Sequence, residues 1–278
     1  MKNLKFIKNL TICVIVVLFL NSCEKVKDDI QNSLETKKVV FIDAATSEMN
    51  FLFSYSIFDK AVNNVSKSLI IDSAHIRRQG DTLFIDYGTS FVTCPDGHRR
   101  KGKMTAVFSD FINFDQAGAT ANIVIDNLYD NDYCLNGTVN INNLGVANNR
   151  IKYNIIANPG TSLVTPVGTI SFVVLYNLEW DRGTSSIDDD ILYVLTSSTS
   201  TGVASNGVDF TMSIDNQVVL DNACQFKVTG GKLRLTSTQF PADPSFIDFG
   251  NGCDNALQLI INTNGITTTL DYTIDQLF

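Results

Sequence analysis

From Leu69 onward the apolar residues of this chain recur at every second position. Val208, Phe210, Met212 and Ile214 alternate with Asp209, Thr211 and Ser213, and Ile151, Tyr153 and Ile155 alternate with Lys152 and Asn154. Near the C-terminus Ile266, Thr268, Leu270, Tyr272 and Ile274 alternate with Thr267, Thr269, Asp271 and Thr273. A period of two marks strands with one buried and one wet face. The stretch Ile170 to Trp180 is apolar on its even positions and also carries Val173 and Leu175 on odd ones, which predicts a strand that lies centrally or is covered on both sides. Turn dipeptides separate these runs: Asp96-Gly97, Asn136-Gly137, Asn148-Asn149, Pro159-Gly160, Arg182-Gly183, Asn206-Gly207, Gly230-Gly231 and Asn264-Gly265. With no helical segment between them, they require antiparallel hairpins. The expected fold is all-β, an antiparallel meander folded as a sandwich or a twisted open sheet, with one N-terminal amphipathic helix.

That helix is predicted over about 47–66. Ser47 is a candidate N-cap, and Phe51, Tyr55, Phe58, Val62, Val65 and Leu69 recur at spacings of three and four, on one face. The opposite face lacks the Lys/Arg richness of a membrane-lying helix, so the stripe is expected to pack onto the sheet. One short echo is visible among the strands. Phe84-Ile85-Asp86-Tyr87-Gly88 and Phe246-Ile247-Asp248-Phe249-Gly250 each run into a cysteine, Cys94 or Cys253. Duplication of a half-domain and reuse of one strand-to-turn solution both account for it.

The first residues follow a different logic. Lys2, Lys5 and Lys8 precede an eleven-residue apolar run, Leu10 to Leu20, and then Asn21-Ser22-Cys23-Glu24. This is the pattern of an export signal, too short for a comfortable membrane span. Leu20-Asn21-Ser22-Cys23 resembles the lipobox of bacterial lipoproteins, which implies cleavage before Cys23 and acylation of that residue, palmitate being one such chain. One acyl chain attaches only marginally, whereas several on one residue anchor stably. Glu24-Lys25-Val26-Lys27-Asp28-Asp29 is similar to the acidic signal that sends lipoproteins of the Bacteroidota to the outer face of the outer membrane. The expected organisation is therefore a signal peptide (1–22), a lipidated flexible stalk (23–38) and a β-rich domain (39–278), the product being outer-membrane, lipid-anchored and facing the cell surface.

Removing residues 1–22 takes three lysines and no acid from a chain with 21 basic and 29 acidic side chains, which shifts the net charge from −8 to −11. Such a chain repels nucleic acid, so no nucleic-acid partner is expected. Of six cysteines, Cys13 leaves with the signal and Cys23 carries lipid. Cys94, Cys134, Cys224 and Cys253 remain for an oxidising compartment, and neighbour pairing, Cys94 with Cys134 and Cys224 with Cys253, closes the shortest loops. No C-x-x-C spacing and no histidine ligand pattern point to zinc.

Among the candidate chemistries, the basic run His98-Arg99-Arg100-Lys101-Gly102-Lys103 stands out in an acidic chain. Its residues His98, Arg99, Arg100, Lys101 and Lys103 form a candidate anionic-ligand patch, with a solvated hairpin end as the plainer reading. Gly97 to Lys103 mimics part of a phosphate-binding loop, but Met104 stands where Ser or Thr would hold magnesium and a strand follows instead of a helix. Asp126, Asp130 and Asp132 with Asn127 and Asn131, and the knot Asp188-Asp189-Asp190, lack any calcium-loop spacing. Ser73 and His75 share a strand face without the strained turn that a nucleophile needs. Neither a metal nor any other cofactor is expected, and no catalytic residue is assigned.

The segments Phe84 to Gly88, Thr93-Cys94-Pro95-Asp96-Gly97-His98-Arg99-Arg100-Lys101-Gly102-Lys103 and Phe246 to Asn255 resemble a group of Bacteroidota surface lipoproteins of unknown function over residues 75–275. The resemblance implies no activity and no binding residues. The expected role is a non-enzymatic binding module for a glycan or another envelope component, with the membrane as partner through Cys23. A glycan site would offer Tyr129, Tyr133 or Trp180 as platforms in a concave surface. The alternative is a structural or accessory subunit of an envelope assembly, marked by a flat apolar patch or an unpaired edge strand.

Overall fold

A computed structural model of the 278-residue chain describes residues 2–64, 70–182, 190–224, 228–241, 243–263 and 265–277, with side chains from Gln31 onward except at 64 and 71. The side chains of the signal segment and the Cys23 thiol, and residues Val65, Leu69, Asp188 and Asp189, lie outside what is described. One helix, α1 (Lys2–Asn64), leads into sixteen strands. These are β1 (Ile70–Ile71), β2 (Ala74–Gln79), β3 (Thr82–Thr93), β4 (Arg99–Phe108), β5 (Thr120–Asp130), β6 (Tyr133–Ala147), β7 (Arg150–Ala157) and β8 (Ser162–Thr165). There follow β9 (Gly168–Asp181), β10 (Ile191–Val194), β11 (Thr199–Val203), β12 (Asp209–Asp221), β13 (Val228–Thr236), β14 (Ser245–Asn251), β15 (Ala256–Thr263) and β16 (Ile266–Thr273), then a 3-10 turn, Ile274–Leu277.

All sixteen strands belong to one antiparallel sheet that follows chain order, as the hairpin signals require. Two positions in it are filled by broken strands. β7 and β8 both lie between β6 and β9, and β10 and β11 both lie between β9 and β12. The pairing gives one large antiparallel sheet, the all-β meander that the alternation predicts. The echoed segments adopt the same local solution: the Gly88 N–H donates to Asp86 Oδ1 at 2.7 Å and the Gly250 N–H to Asp248 Oδ1 at 3.0 Å. Both glycines have positive φ, which the motif requires of them.

The sheet buries one face, and the partner of that face is α1. Along the path from β1 to β16 a flat sheet would extend roughly 60 Å at the usual spacing between strands, whereas a helix is only about 10 Å across. Yet α1 touches β1, β3, β6, β9, β12 and β15. The sheet therefore curls around the helix. Ala44, Ala45 and Ala61 are fully buried, allowing close approach, and Phe51, Leu52 and Phe58 fill the space beyond them. Phe51 meets Phe172 and Tyr176 edge-on, and Phe58 stacks on Phe108.

Two expectations for this segment are corrected. Ser47 is no N-cap, because the helix continues far to its N-terminal side and Ser47 Oγ donates back to the Ala44 carbonyl at 2.9 Å. Thr36, Asn50 and Ser54 bond the helix backbone in the same way. Polar side chains that bond preceding carbonyls need neither solvent nor a helix end. The stalk expected over 23–38 is likewise not free at its distal end. Lys37 is 1% exposed, its Nζ donating to the Asn262 carbonyl at 2.6 Å and lying 3.4 Å from Asp243 and 4.8 Å from the Phe240 ring centroid.

Lys37→Met should lower unfolding stability by about 1–3 kcal/mol, the usual penalty for stranding a buried polar partner. Urea denaturation checks this, and an unchanged midpoint would mean that Lys37 belongs to a loose stalk.

Candidate functional site

The curled sheet leaves a seam. No pairing joins β1–β4 to β12–β16 among the described residues, and between these margins one face of α1 forms the floor of a cleft of about 530 Å³. Met49, Leu52, Phe53, Ser56, Ile57 and Lys60 line it from the helix. One wall is Asp72 and the turn Pro95 to His98; the other is Leu220, Val228, Ile274 and Asp275. The volume lies within the range of small-molecule sites, roughly 300–1,000 Å³. Sequence reasoning missed the floor because it followed one stripe. Met49, Leu52 or Phe53, and Ile57 form a second stripe at spacings of three to five, and apolar residues on more than one face of a helix signal burial all round.

The β3–β4 wall is built by charge. Arg100, 1% exposed, grips Asp96 with both terminal nitrogens at 2.6 and 3.1 Å and reaches Asp130 Oδ2 from Nε and Nη2 at 3.3 and 3.2 Å. His98 Nδ1 lies 2.7 Å from the other oxygen of Asp130. Both side chains rest on Phe53: the guanidinium 4.6 Å from the ring centroid and the imidazole stacked at 6.2 Å. The bond to Asp130 holds His98 above its usual pKa, against the opposing effect of burial. Burial drives Asp96 upward, but its bonds to Arg100 and to the His98 N–H outweigh this and leave it below the usual carboxylate range. On the same wall, Asp72 and Ser73 form the two-residue β1–β2 turn with φ of 48° and 71°, and Asp72 pairs with Lys60 at 3.1 Å. Positive φ at two non-glycine residues is a strained turn, here tied directly to the helix.

The expected five-residue basic patch is thus split by the pleat. Successive side chains of a strand point to opposite faces, so Arg100 turns inward, with His98 just before it in the wall. Arg99, Lys101 and Lys103 stay outside. There Arg99 and Lys101 lie over Phe91 at 5.3 and 4.6 Å, Lys101 also over Tyr129 at 4.2 Å, and Lys103 pairs with Asp126 at 3.3 Å. The aspartates that cluster in sequence disperse too, Asp126 outward and Asp130 into the wall, because a bulge at Asn127 shifts the alternation between them. Among the described residues no group of three or more His, Cys, Asp or Glu gathers to hold a metal ion. His75 is exposed, and Ser73 Oγ bonds the Thr93 carbonyl at 3.3 Å.

Of the expected disulfides, Cys224–Cys253 is formed, with Cα atoms 5.5 Å apart. It ties the β12–β13 connection, whose flanking residues Leu220 and Val228 line the cleft, to the β14–β15 connection. Cys94 and Cys134 are not paired. Three strand spacings separate the end of β3 from β6, about 14 Å, twice the span a disulfide bridges. Loop length was the wrong criterion. Both thiols are buried, and burial raises their pKa.

Elsewhere α1 carries acids into the interior. Glu48, 2% exposed, is pushed up to about 7 by burial, against the influence of Tyr176 and Ser200. Those two hydroxyls are its polar neighbours, yet neither meets hydrogen-bond geometry, so Glu48 keeps its proton more readily than a bonded carboxylate. Asp59 is raised to about 8 by burial and by Asp190, against Arg182. Asp59 and Asp190 border a pocket of only about 20 Å³, which admits roughly one water. Of the platforms expected for a glycan, Trp180 is buried, 3% exposed beneath Arg182, and Tyr129 and Tyr133 are half-buried.

Comparison with known protein families, curated proteins and solved structures gives no match.

Stability should fall as the medium is raised from mild acid. Between pH 4.5 and about 7 an unfolded Glu48 ionises while the folded one stays protonated, a loss of ~3 kcal/mol across that window. Glu48→Gln should remove this component from the pH profile of unfolding, and an unaltered slope would refute it. The stabilisation from His98 and Asp130 is complete below about pH 6.5 and fades as pH rises through the raised pKa of His98, so His98→Gln should flatten the profile above neutrality instead.

Proposed function

We propose that this chain is a membrane-tethered, non-catalytic binding module of the bacterial cell envelope that takes a small envelope component into the seam cleft. The cleft itself carries the reading. Met49, Leu52, Phe53 and Ile57 make most of its floor apolar, while Asp72 is paired with Lys60 and Asp96 with Arg100 on its rim. That chemistry suits a largely apolar molecule with a polar end. The wall charges hold one another in place, a positioning role rather than an acid-base one, which favours binding over catalysis.

The lipobox at Leu20 to Cys23 supports the tether, and the Lys27-Asp28-Asp29 run supports display at the outer surface of the outer membrane. Fourteen residue-to-residue steps lead from Cys23 to the buried Lys37. They reach about 21 Å as helix or about 48 Å fully extended, so acyl chains on Cys23 keep the body close to the bilayer. A second reading, an accessory subunit, is favoured by β16, which among the described residues pairs only with β15 and exposes Ile266. An edge strand of this kind accepts another strand unless a charge such as Asp271 blocks it.

Cys23→Ala should release the protein from membranes and abolish labelling by radioactive palmitate; retention with label would refute the tether. For the cleft, the apolar fluorophore N-phenyl-1-naphthylamine should bind the full chain saturably at one site. Ser56→Trp, which fills the floor, should weaken that binding at least about tenfold, the equivalent of one lost apolar anchor. Equal binding by both proteins would place the site elsewhere.

A further inference from the structure

The outer face of β4–β7 and β9 carries a second feature, independent of the cleft. Two rows of side chains cross these strands in register. Val107, Asn122, Asn140 and Ile156 are successive Cα partners, as are Thr120, Asn142, Asn154 and Asn177. They surround a shallow dish of about 580 Å³, lined by Val107, Asn122, Asn140, Asn142, Asn154 and Ile156 among others, with no acidic or basic side chain in its lining. Elsewhere on the outer face of β4 and β5 ionic groups are dense, as in Lys103 with Asp126.

The amides are ordered by one another. Asn122 Nδ2 donates to Asn140 Oδ1 at 2.6 Å, Asn140 Nδ2 to Asn158 Oδ1 at 3.1 Å, and Asn158 Nδ2 to Thr138 Oγ1 at 3.0 Å. In the next row Asn154 Nδ2 donates to Asn177 Oδ1 at 3.1 Å, and Asn177 Nδ2 to Ser197 Oγ at 3.1 Å. A carboxamide has two N–H donors and two acceptor lone pairs, so Asn140 retains one of each after its ladder bonds. The ladder thus fixes an array of neutral donors and acceptors repeating at the strand spacing, about 4.8 Å, close to the length of one pyranose unit. Val107 and Ile156, 52% and 36% exposed, flank the amides with aliphatic surface.

We infer that this dish binds a neutral polysaccharide strand. Hydroxyl groups both donate and accept, matching the amides, and the C–H faces of sugar rings match the valine and isoleucine. A charged glycan would find no counter-charge in the lining and would lose hydration without compensation. Occupancy leaves the cleft open, because the dish lies on the opposite face of the sheet from α1.

The test is affinity electrophoresis of the detergent-solubilised full chain in gels containing dextran, laminarin or galactomannan, with polygalacturonate as the anionic comparator. At least one neutral polymer should retard the protein and polygalacturonate should not. Asn140→Ala combined with Asn154→Ala should weaken retardation about tenfold, as two lost hydrogen bonds would. Asn140→Asp, which preserves size and adds charge, should weaken it as well. Mobility unaffected by all three neutral polymers, equal retardation by polygalacturonate, or full binding by either variant would overturn the inference. Ser56→Trp should leave retardation unchanged, and its loss there would also overturn the assignment by moving the glycan to the cleft.

Discussion

The fold depends on a helix most of whose residues from Lys37 to Ala61 are buried against the sheet, the seam cleft being the main opening onto it. A sheet with one apolar face must bury that face against another layer, and here the second layer is a single element. From Lys37 to Ala61 α1 spans ~37 Å, long enough to serve strands from both ends of the path. Each inward residue of the strands, from Ala74 and Ile76 in β2 to Leu257, Leu259 and Ile261 in β15, joins one core around it. The strand order would persist without the helix only as a sheet with an exposed inner face. Helix and sheet are therefore one cooperative unit, although the chain writes them as separate segments.

Burying a helix all round forces decisions on its polar residues. Hydroxyl and amide side chains are settled locally by bonding helix carbonyls, and Asn50 also reaches the Leu277 carbonyl at 3.1 Å, fixing the C-terminal turn. Asp43 accepts the Ser205 N–H at 2.7 Å, which anchors the β11–β12 turn to the helix. Glu48 and Asp59 find less and hold protons instead, the cheaper state for a desolvated carboxylate. The interior is thus a place where polar groups set register between helix and strands. The two acids have a further consequence: the packed state discriminates against high pH from within, by a mechanism distinct from surface charge.

The strands were legible because their faces differ in environment, and a period of two survives wherever one face is buried and the other wet. The extent of the helix was not legible, since Thr36, Ser47, Asn50 and Ser54 look like caps and turn formers when their back-bonding is invisible. The basic run shows the complementary error. Adjacent residues in a strand are not neighbours, so a cluster in sequence became an inward Arg100 and an outward Arg99, Lys101 and Lys103. The cysteines fail for a related reason. Cys224 and Cys253 close 29 residues across neighbouring connections, whereas Cys94 and Cys134 are separated by two intervening strands. The cleft could not be read at all, because it arises between segments far apart in sequence that do not pair among the described residues.

That lack of pairing gives the cleft its mechanics. One wall is stiffened by the disulfide, which ties the β12–β13 and β14–β15 connections and removes chain entropy from the unfolded state, worth about 3–4 kcal/mol for a loop of this length. The other wall is stiffened by Arg100, gripped by Asp96 and Asp130 and seated on Phe53. Among the described residues no strand pairing bridges the two walls directly, so across the seam they meet through the helix between them and the turn that Asn50 holds. Phe53 and Lys60 tie α1 to the Arg100 wall, and Lys37 and Asn50 tie it to the opposite margin, so the helix that organises the core also holds the two sides of the cleft in place.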